Sequence, residues 1–267
     1  MKNKTSHFLS VIVPIYKQEN TIADDLTTIN HTLGQIRYPY EIIAVVDDIN
    51  IDKSYPIIKK LKIKNLKTYG LSQNHGKGYA VRYGMTKTKG DYVAFIDAGM
   101  EIDPNGLSLI LEHMEWYNAD IIVASKRHPA SQVKYPFDRR IISFLAQIFA
   151  RFLLGIKVKD TQAGLKIFKR KVLITVLPRL LIKNYAFDLE ILSVANHLGY
   201  KRIYEAPLKL KYQFGNLTHA TGLKTIYRCL IDALAVFYRL RLLHYYDNKN
   251  QRKWHYNPDL KMRVNTG

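Results

Sequence analysis

The chain has 267 residues, 47% of them hydrophobic, enough for one large α/β domain with an extension and a sizeable buried core. With 41 Lys and Arg against 22 Asp and Glu, the formal net charge is +19, which favours anionic partners: phosphorylated substrates, anionic lipid or nucleic acid. No helix-turn-helix, zinc-finger or RNA-recognition pattern accompanies that charge, so nucleic acid ranks last, and the single cysteine, Cys229, excludes an intrachain disulfide or a cysteine metal cluster and suits a reducing compartment.

Residues 1–7 are polar and basic and lead into the first strand without a signal-peptide core. Apolar runs rich in Val, Ile and aromatics at 10–16, 41–46, 66–71, 91–96 and 120–124 read as buried strands. Between them, 21–33 places Ile22, Leu26, Ile29 and Leu33 on one helical face, and 78–87 and 104–117 also read as helices. Such alternation predicts an α/β fold with a mostly parallel sheet covered on both faces. Ligands bind beyond the carboxyl ends of the strands in such sheets, so polar residues just after strands are the first candidates.

After 124 the alternation stops. Residues 126–140 form a basic, Pro-containing loop, 141–154 an apolar helix, 160–168 a turn and strand, and 187–198 a helix. One or two strands follow at 200–212, broken at Pro207. The segment 225–243 is a long helix carrying Arg228, Asp232, Arg239 and Arg241, too charged to span a bilayer. Its composition fits two states equally, an interfacial helix or an amphipathic helix packed on the core.

Several residues are candidates for chemistry. Asp47 and Asp48 end the second strand, where carboxylates accept hydrogen bonds from a nucleobase or a ribose; a solvated turn explains them as simply. Asp97 ends the fourth strand and Glu101 follows, a pair of oxygen ligands suited to Mg²⁺ or Mn²⁺ on a diphosphate. Asp103, ahead of Pro104, reads as a helix cap. The stretch QNHGKGYAVRYG, 73–84, has glycines around Lys77 that permit close backbone approach to a ligand. It is not a P-loop: Gly70 is misplaced relative to Gly76-Lys77, and Gly78 stands where Ser or Thr is required. Asp188 and Glu190 open the helix at 187, as a general base or as acids favourable to the helix dipole. Lys126, Arg127, Arg139 and Arg140 suit phosphate oxygens, or a solvated basic face. His75, His113, His128 and His197 have no metal-ligand spacing.

Taken in order, SVIVPIYKQENTI, EIIAVVDDINIDKS, NHGKGYAVRYGM, GDYVAFIDAG, DTQAGLKIFKRKVL and YAFDLEILSVANHLGY resemble family 2 glycosyltransferases of the GT-A fold, in the polyprenyl-phosphate hexose synthase branch. The DTQ-G-K-F and AFD-E strings are more similar to the glucosyltransferase members of that branch than to its mannose synthases. The resemblance covers most of 10–213 and implies roles. Pro14, Tyr16 and Gln18 would line the nucleotide site, Asp47 and Asp48 contact base and ribose, and Lys77 and Ala98 lie near the nucleotide sugar. Asp97 would open the Asp-x-Asp metal motif, with Glu101 also able to reach a divalent cation. Lys126, Arg127, Arg139 and Arg140 would hold the acceptor phosphate, and Asp188 matches the acid of F-D-x-E.

Three positions depart from the family pattern. Gly99 replaces the second motif Asp, Gln18 stands where Glu is frequent, and KYQFGNLTH at 211–219 lacks the late Arg and Lys of many mannose synthases. The resemblance implies an inverting transfer of a hexose from UDP-glucose or a GDP-mannose-type donor to a polyprenyl phosphate. The enzyme would sit peripherally on the cytoplasmic face of a membrane, on its surface or on a membrane partner. Residues 1–220 would form the transferase domain, and 221–267 an amphipathic helix with a basic tail. A glycan hydroxyl as acceptor, or a degenerate sugar-nucleotide binder, are the alternatives.

Overall fold

The structure, a computed structural model, describes residues 7–133, 153–184, 186–210, 223–250 and 254–265. Among them, strands β1 (Leu9–Ile15), β2 (Tyr40–Val46), β3 (Leu66–Gly70), β4 (Tyr92–Ile96), β5 (Ile121–Ser125), β6 (Leu165–Lys169) and β7 (Ile203–Pro207) form one sheet in the order β3-β2-β1-β4-β6-β5-β7. Neighbours pair in parallel except β6, which is antiparallel to β4 and β5.

Both faces are covered, which is why the strands read as unbroken apolar runs. In β1, Ile12 points to one face while Val11 and Val13 point to the other, and all three are inaccessible to solvent. Helices α1 (Ile22–Gly34), α2 (Ser54–Lys60) and α4 (Gly106–Trp116) pack on the Val11 face through Leu26, Ile58 and Ile110. On the Ile12 face lie α3 (Lys77–Thr86), α5 (Arg170–Val176), α6 (Phe187–His197) and α7 (Leu223–Phe237), through Val81, Val172, Ile191 and Val236. The expected α/β architecture stands.

Details differ from the sequence expectation. The helix expected from 104 starts at Gly106, because the Asp103 carboxylate accepts hydrogen bonds from the Asn105 backbone and side-chain amides and builds a turn ahead of it. The expected strand at 200–212 ends at Pro207, and its last two residues lie outside the described ones, as do residues 141–152 of the apolar helix. A hairpin of β8 (Trp254–Asn257) and β9 (Met262–Asn265) occupies what reads from sequence as tail. Strands this short carry too little alternation to be recognised.

The long C-terminal helix is α7 followed by a π-helical turn, Tyr238–Leu242. One of the two readings left open by its composition, packing on the core, is met on its inner face. Ala233, Val236 and Leu240 face inward and join the core. Tyr227, Ile231, Leu234, Tyr238 and Leu242 form an outward apolar stripe, Tyr227 and Leu242 being 65% and 64% exposed. No helix among the described residues is long and apolar enough to cross a membrane.

Beyond α7, the Tyr246 hydroxyl donates to Glu190 at 2.7 Å, and Glu190 also accepts the backbone N–H groups of Leu181 and Ile182. Glu190 is fully buried, and burial pushes its carboxyl above the ordinary range despite these donors. Glu190 therefore works inside the core, joining α6 to the C-terminal segment.

Candidate active site

The direction of β6 creates the site. The chain leaves β5 at the carboxyl tip, makes a long excursion, and re-enters the sheet from that same tip, so β6 must run backwards. The residues just before β6 consequently lie beside the end of β4. The Asp97 N–H donates to the Gly164 carbonyl at 2.9 Å. The Asp97 carboxylate lies over Gly164 so closely that a Cβ there would fall 2.0 Å from Oδ2 and 2.5 Å from the carboxyl carbon.

Four charges of alternating sign cluster at this tip. The Lys77 ammonium, from the first turn of α3, is 2.7 Å from Asp97 Oδ2 and 3.9 Å from Asp188 Oδ2. Asp188, in the first turn of α6, is buried, and its Oδ1 accepts from Lys166 at 2.6 Å. Lys166 is the second residue of β6, is wholly inaccessible, and donates also to the Ala163 carbonyl at 2.6 Å. Burial pushes its ammonium below the usual lysine range, and the Asp188 charge opposes that shift. Both ammonium groups lie near the face of the buried Phe95 ring, Lys77 at 5.8 Å and Lys166 at 5.2 Å. Sequence reading assigned Lys166 and Gly164 no role. The signal was a lysine inside the apolar strand LKIFK, at a position whose neighbours in register face the core.

The glycines of the loop pack closely on the chain itself. A Cβ on Gly76 would meet Asn184 Oδ1 at 2.4 Å and the Lys183 carbonyl at 2.7 Å; one on Gly78 would meet the Phe187 Cβ at 2.4 Å. These glycines permit close packing against the chain's own Lys183, Asn184 and Phe187, and this places Lys77. Gly76 also has φ +95°, in the left-handed region. Asp47 is buried and accepts the backbone N–H groups of His75 and Gly76, each at 2.8 Å, so its carboxylate folds this loop. Burial raises its pKa, and these N–H groups counteract the rise. Asp48 is less buried, with φ +77°, and accepts the Asn50 N–H.

On the other side of Asp97, Gly99 has φ +89° and its N–H donates to Asp25 Oδ2 at 2.9 Å. A side chain there would lie 3.8 Å from the Gln18 amide, so two of the positions that depart from the family pattern are spatial neighbours. Gln18 is fixed by Ser54 and Thr21. Pro14 is the penultimate residue of β1, and Tyr16, just beyond it, is 39% exposed. Ala98 is half-buried between Asp97 and Gly99.

The donor set fits a divalent cation only through Asp97. Asp97 Oδ1 is buried and has no hydrogen-bond partner among the described residues, an open acceptor beside the lysine-bound Oδ2. No group of three His, Cys, Asp or Glu that could hold a metal occurs among the described residues, and Glu101 is exposed. Mg²⁺ is commonly held by one or two carboxylates plus substrate phosphates, a pattern this tip can supply.

Of the acceptor-side residues, Lys126 and Arg127 follow β5, and the Lys126 N–H is tied to buried Asp160 at 3.0 Å. Arg139 and Arg140 lie outside the described residues. Gln162 approaches Cys229 Sγ at 3.8 Å, bringing the first half of α7 to this end of the sheet. The four histidines have local partners: His75 stacks on Tyr79, His113 pairs with the Leu109 carbonyl, His128 with the Ala130 N–H and His197 with Asp247.

The sheet order and the helices on its two faces define a class of fold shared with solved proteins. Glucosyl-3-phosphoglycerate synthase from Mycobacterium tuberculosis, crystallised with Mn²⁺, UDP and phosphoglyceric acid, superposes with a TM-score of 0.64 at 17% identity, over 93% of this chain and 82% of that one. Mannosyl-3-phosphoglycerate synthase from Rubrobacter xylanophilus gives 0.66 at 17% identity, over 92% and 77%. The fold is therefore GT-A. Residues 10–177 match the family described as Glycosyl transferase family 2, and the chain belongs to that family. It is similar to dolichyl-phosphate beta-glucosyltransferases of Dictyostelium discoideum, 32% identical over 72% of this chain and 63% of the relative, and of Saccharomyces cerevisiae, 30% identical over 70% and 62%. The matched region thus spans a little under two thirds of these relatives' length.

Proposed function

We propose that this chain transfers a hexose, glucose in the first instance, from a UDP-sugar to a dolichyl-type polyprenyl phosphate. The observation that carries the reading is the meeting of Asp97, Lys77, Gly164 and Asp188, from four separate family strings, at one strand tip. The names of the relatives support the acceptor and the sugar, and the UDP of the solved neighbour supports the nucleotide.

In this reading Pro14, Tyr16, Gln18 and Asp48 line the nucleotide, and Asp47 holds the loop that presents Lys77. The Lys77 ammonium, standing beside the diphosphate, stabilises negative charge as it leaves. Asp97, and secondarily Glu101, would hold a Mg²⁺ or Mn²⁺ ion, which when bound supplies Lewis-acid stabilisation of the same leaving group. Lys126, Arg127, Arg139 and Arg140 receive the acceptor phosphate. Its oxygen attacks the anomeric carbon opposite the leaving nucleoside diphosphate and inverts the configuration. A phosphate monoester is already anionic near neutral pH, so no base is required. That suits Asp188, whose carboxylate lies between Lys166 and Lys77 and acts as an orienting charge.

We infer that residues 221–267 extend the 1–220 transferase unit towards a membrane surface, on the cytoplasmic face. The support is the exposed stripe on α7, flanked by the exposed Arg228 and Arg241, together with the net charge of +19. Replacing Tyr227, Ile231 and Leu234 together by Ser should abolish flotation with anionic vesicles while UDP binding in solution is retained. Unchanged flotation would remove the stripe from the membrane account.

The direct test is a thermal-shift panel of UDP- and GDP-sugars with and without Mn²⁺, followed by transfer to polyprenyl phosphate. UDP-glucose with Mn²⁺ should raise the melting temperature most, since a ligand of the native state stabilises it. Asp97→Asn should lower kcat/KM by about 10²–10³, the scale of losing a major transition-state contact, and Glu101→Gln far less. Equal small losses would overturn the metal assignment, and transfer only to a hydroxyl acceptor would overturn the acceptor.

A further inference from the structure

We propose that Lys77 is a cation with two seats: it neutralises Asp97 before the donor arrives, and moves to Asp188 when a divalent ion and a diphosphate take Asp97. Lys166 is the positioning residue that holds the second seat ready. The inference rests on the donor-site reading above.

The geometry divides each carboxylate between two tasks. Asp97 presents Oδ2 to Lys77 at 2.7 Å and leaves the buried Oδ1 open. Asp188 gives Oδ1 to Lys166 at 2.6 Å and turns Oδ2 towards Lys77 at 3.9 Å. The Lys77 ammonium therefore stands between two carboxylates, bonded to the more exposed one. A small rotation of its last side-chain bonds carries it from one to the other, across the face of Phe95. A divalent ion on Oδ1 would repel an ammonium held on Oδ2 of the same carboxylate, and Asp188 Oδ2 offers an opposite charge already in reach. Lys166, paired with Asp188, offsets the cost of burying that carboxylate. Lys166 also grips the Ala163 carbonyl, next to the Gly164 that supports Asp97, so one side chain fixes both seats. Gly99 adds a reason for the device. With no second motif carboxylate on that turn, an ammonium at Asp97 and an incoming ion compete for one group.

The test is Mn²⁺ titration of the full chain with UDP at a concentration that saturates each variant, with free Mn²⁺ read by electron paramagnetic resonance. Lys77→Met should bind Mn²⁺ about fivefold more tightly than the unaltered protein, the scale of one part-exposed ion pair, because the competitor is gone. Lys77→Arg should restore the original affinity. Asp188→Asn should bind Mn²⁺ more weakly, because Lys77 then loses its second carboxylate and stays on Asp97, and this effect should vanish in the Lys77→Met background. Unchanged or weaker Mn²⁺ binding by Lys77→Met overturns the proposal. So do strictly additive effects in the double variant, which would mean long-range charge alone. If neither the unaltered protein nor any variant binds Mn²⁺ with UDP, the donor-site reading falls and the two-seat lysine with it.

Discussion

Gly164→Ala is expected to leave a folded protein with almost no transferase activity. A Cβ at this position would sit 2.0 Å from Asp97 Oδ2, 2.5 Å from its carboxyl carbon and 3.1 Å from its Cβ, so rotation of the carboxylate alone cannot relieve the clash. Either Asp97 swings off its position or the turn that accepts the Asp97 N–H retreats. Both outcomes displace the carboxylate proposed to face the diphosphate by about 1 Å, and a misplacement of that size costs on the order of 10²-fold in rate. Stability should suffer less, because the site lies at the sheet's tip and the side chain to be moved is part-exposed. The measurement is kcat/KM beside a denaturation curve. A variant with near-normal activity would show that Asp97 does not act from the position it holds here.

Glu190→Ala is expected to destabilise the whole chain by about 3–5 kcal/mol, the range for removing one partner of a buried charged network. The change strips the acceptor from the Leu181 and Ile182 N–H groups and from the Tyr246 hydroxyl, all in the interior. It also leaves the nearby positive charges of Arg82 and Arg239 without their buried counter-charge. Urea denaturation should show the loss, with melting lowered by roughly 10 °C for a domain of this size. Tyr246→Phe should lose about 2 kcal/mol, the value of one hydrogen bond to a charged acceptor. A pH signature accompanies these effects. The Glu190 carboxyl is held above its ordinary value of 4.5, chiefly by burial, so its contribution is full below that pH and declines as pH rises through the raised value. Glu190→Ala should lack that slope. If Glu190→Ala unfolds at the same urea concentration as the unaltered chain, the segment after α7 is not held by this junction.

The sequence alone determined the seven strands of the main sheet and most of the helices. Val, Ile and aromatic runs bounded by polar turns can be buried on both sides only as central strands, and the 3.6-residue spacing of Ile22, Leu26, Ile29 and Leu33 fits only a helix. It also placed Asp97 and the Asp47-Asp48 pair at carboxyl ends, because those positions follow directly from where an apolar run stops. The tertiary structure decided the rest. Which strand lies beside β4 is a matter of sheet order, and the backward run of β6 brings Gly164 under Asp97 and Lys166 beneath Asp188. That the glycines flanking Lys77 pack on Lys183, Asn184 and Phe187, and that Glu190 meets Tyr246, depends on contacts between segments far apart in the chain. Local periodicity reports only which face of an element is apolar. It does not report which distant element covers that face, and the charges at this strand tip derive their roles from that covering.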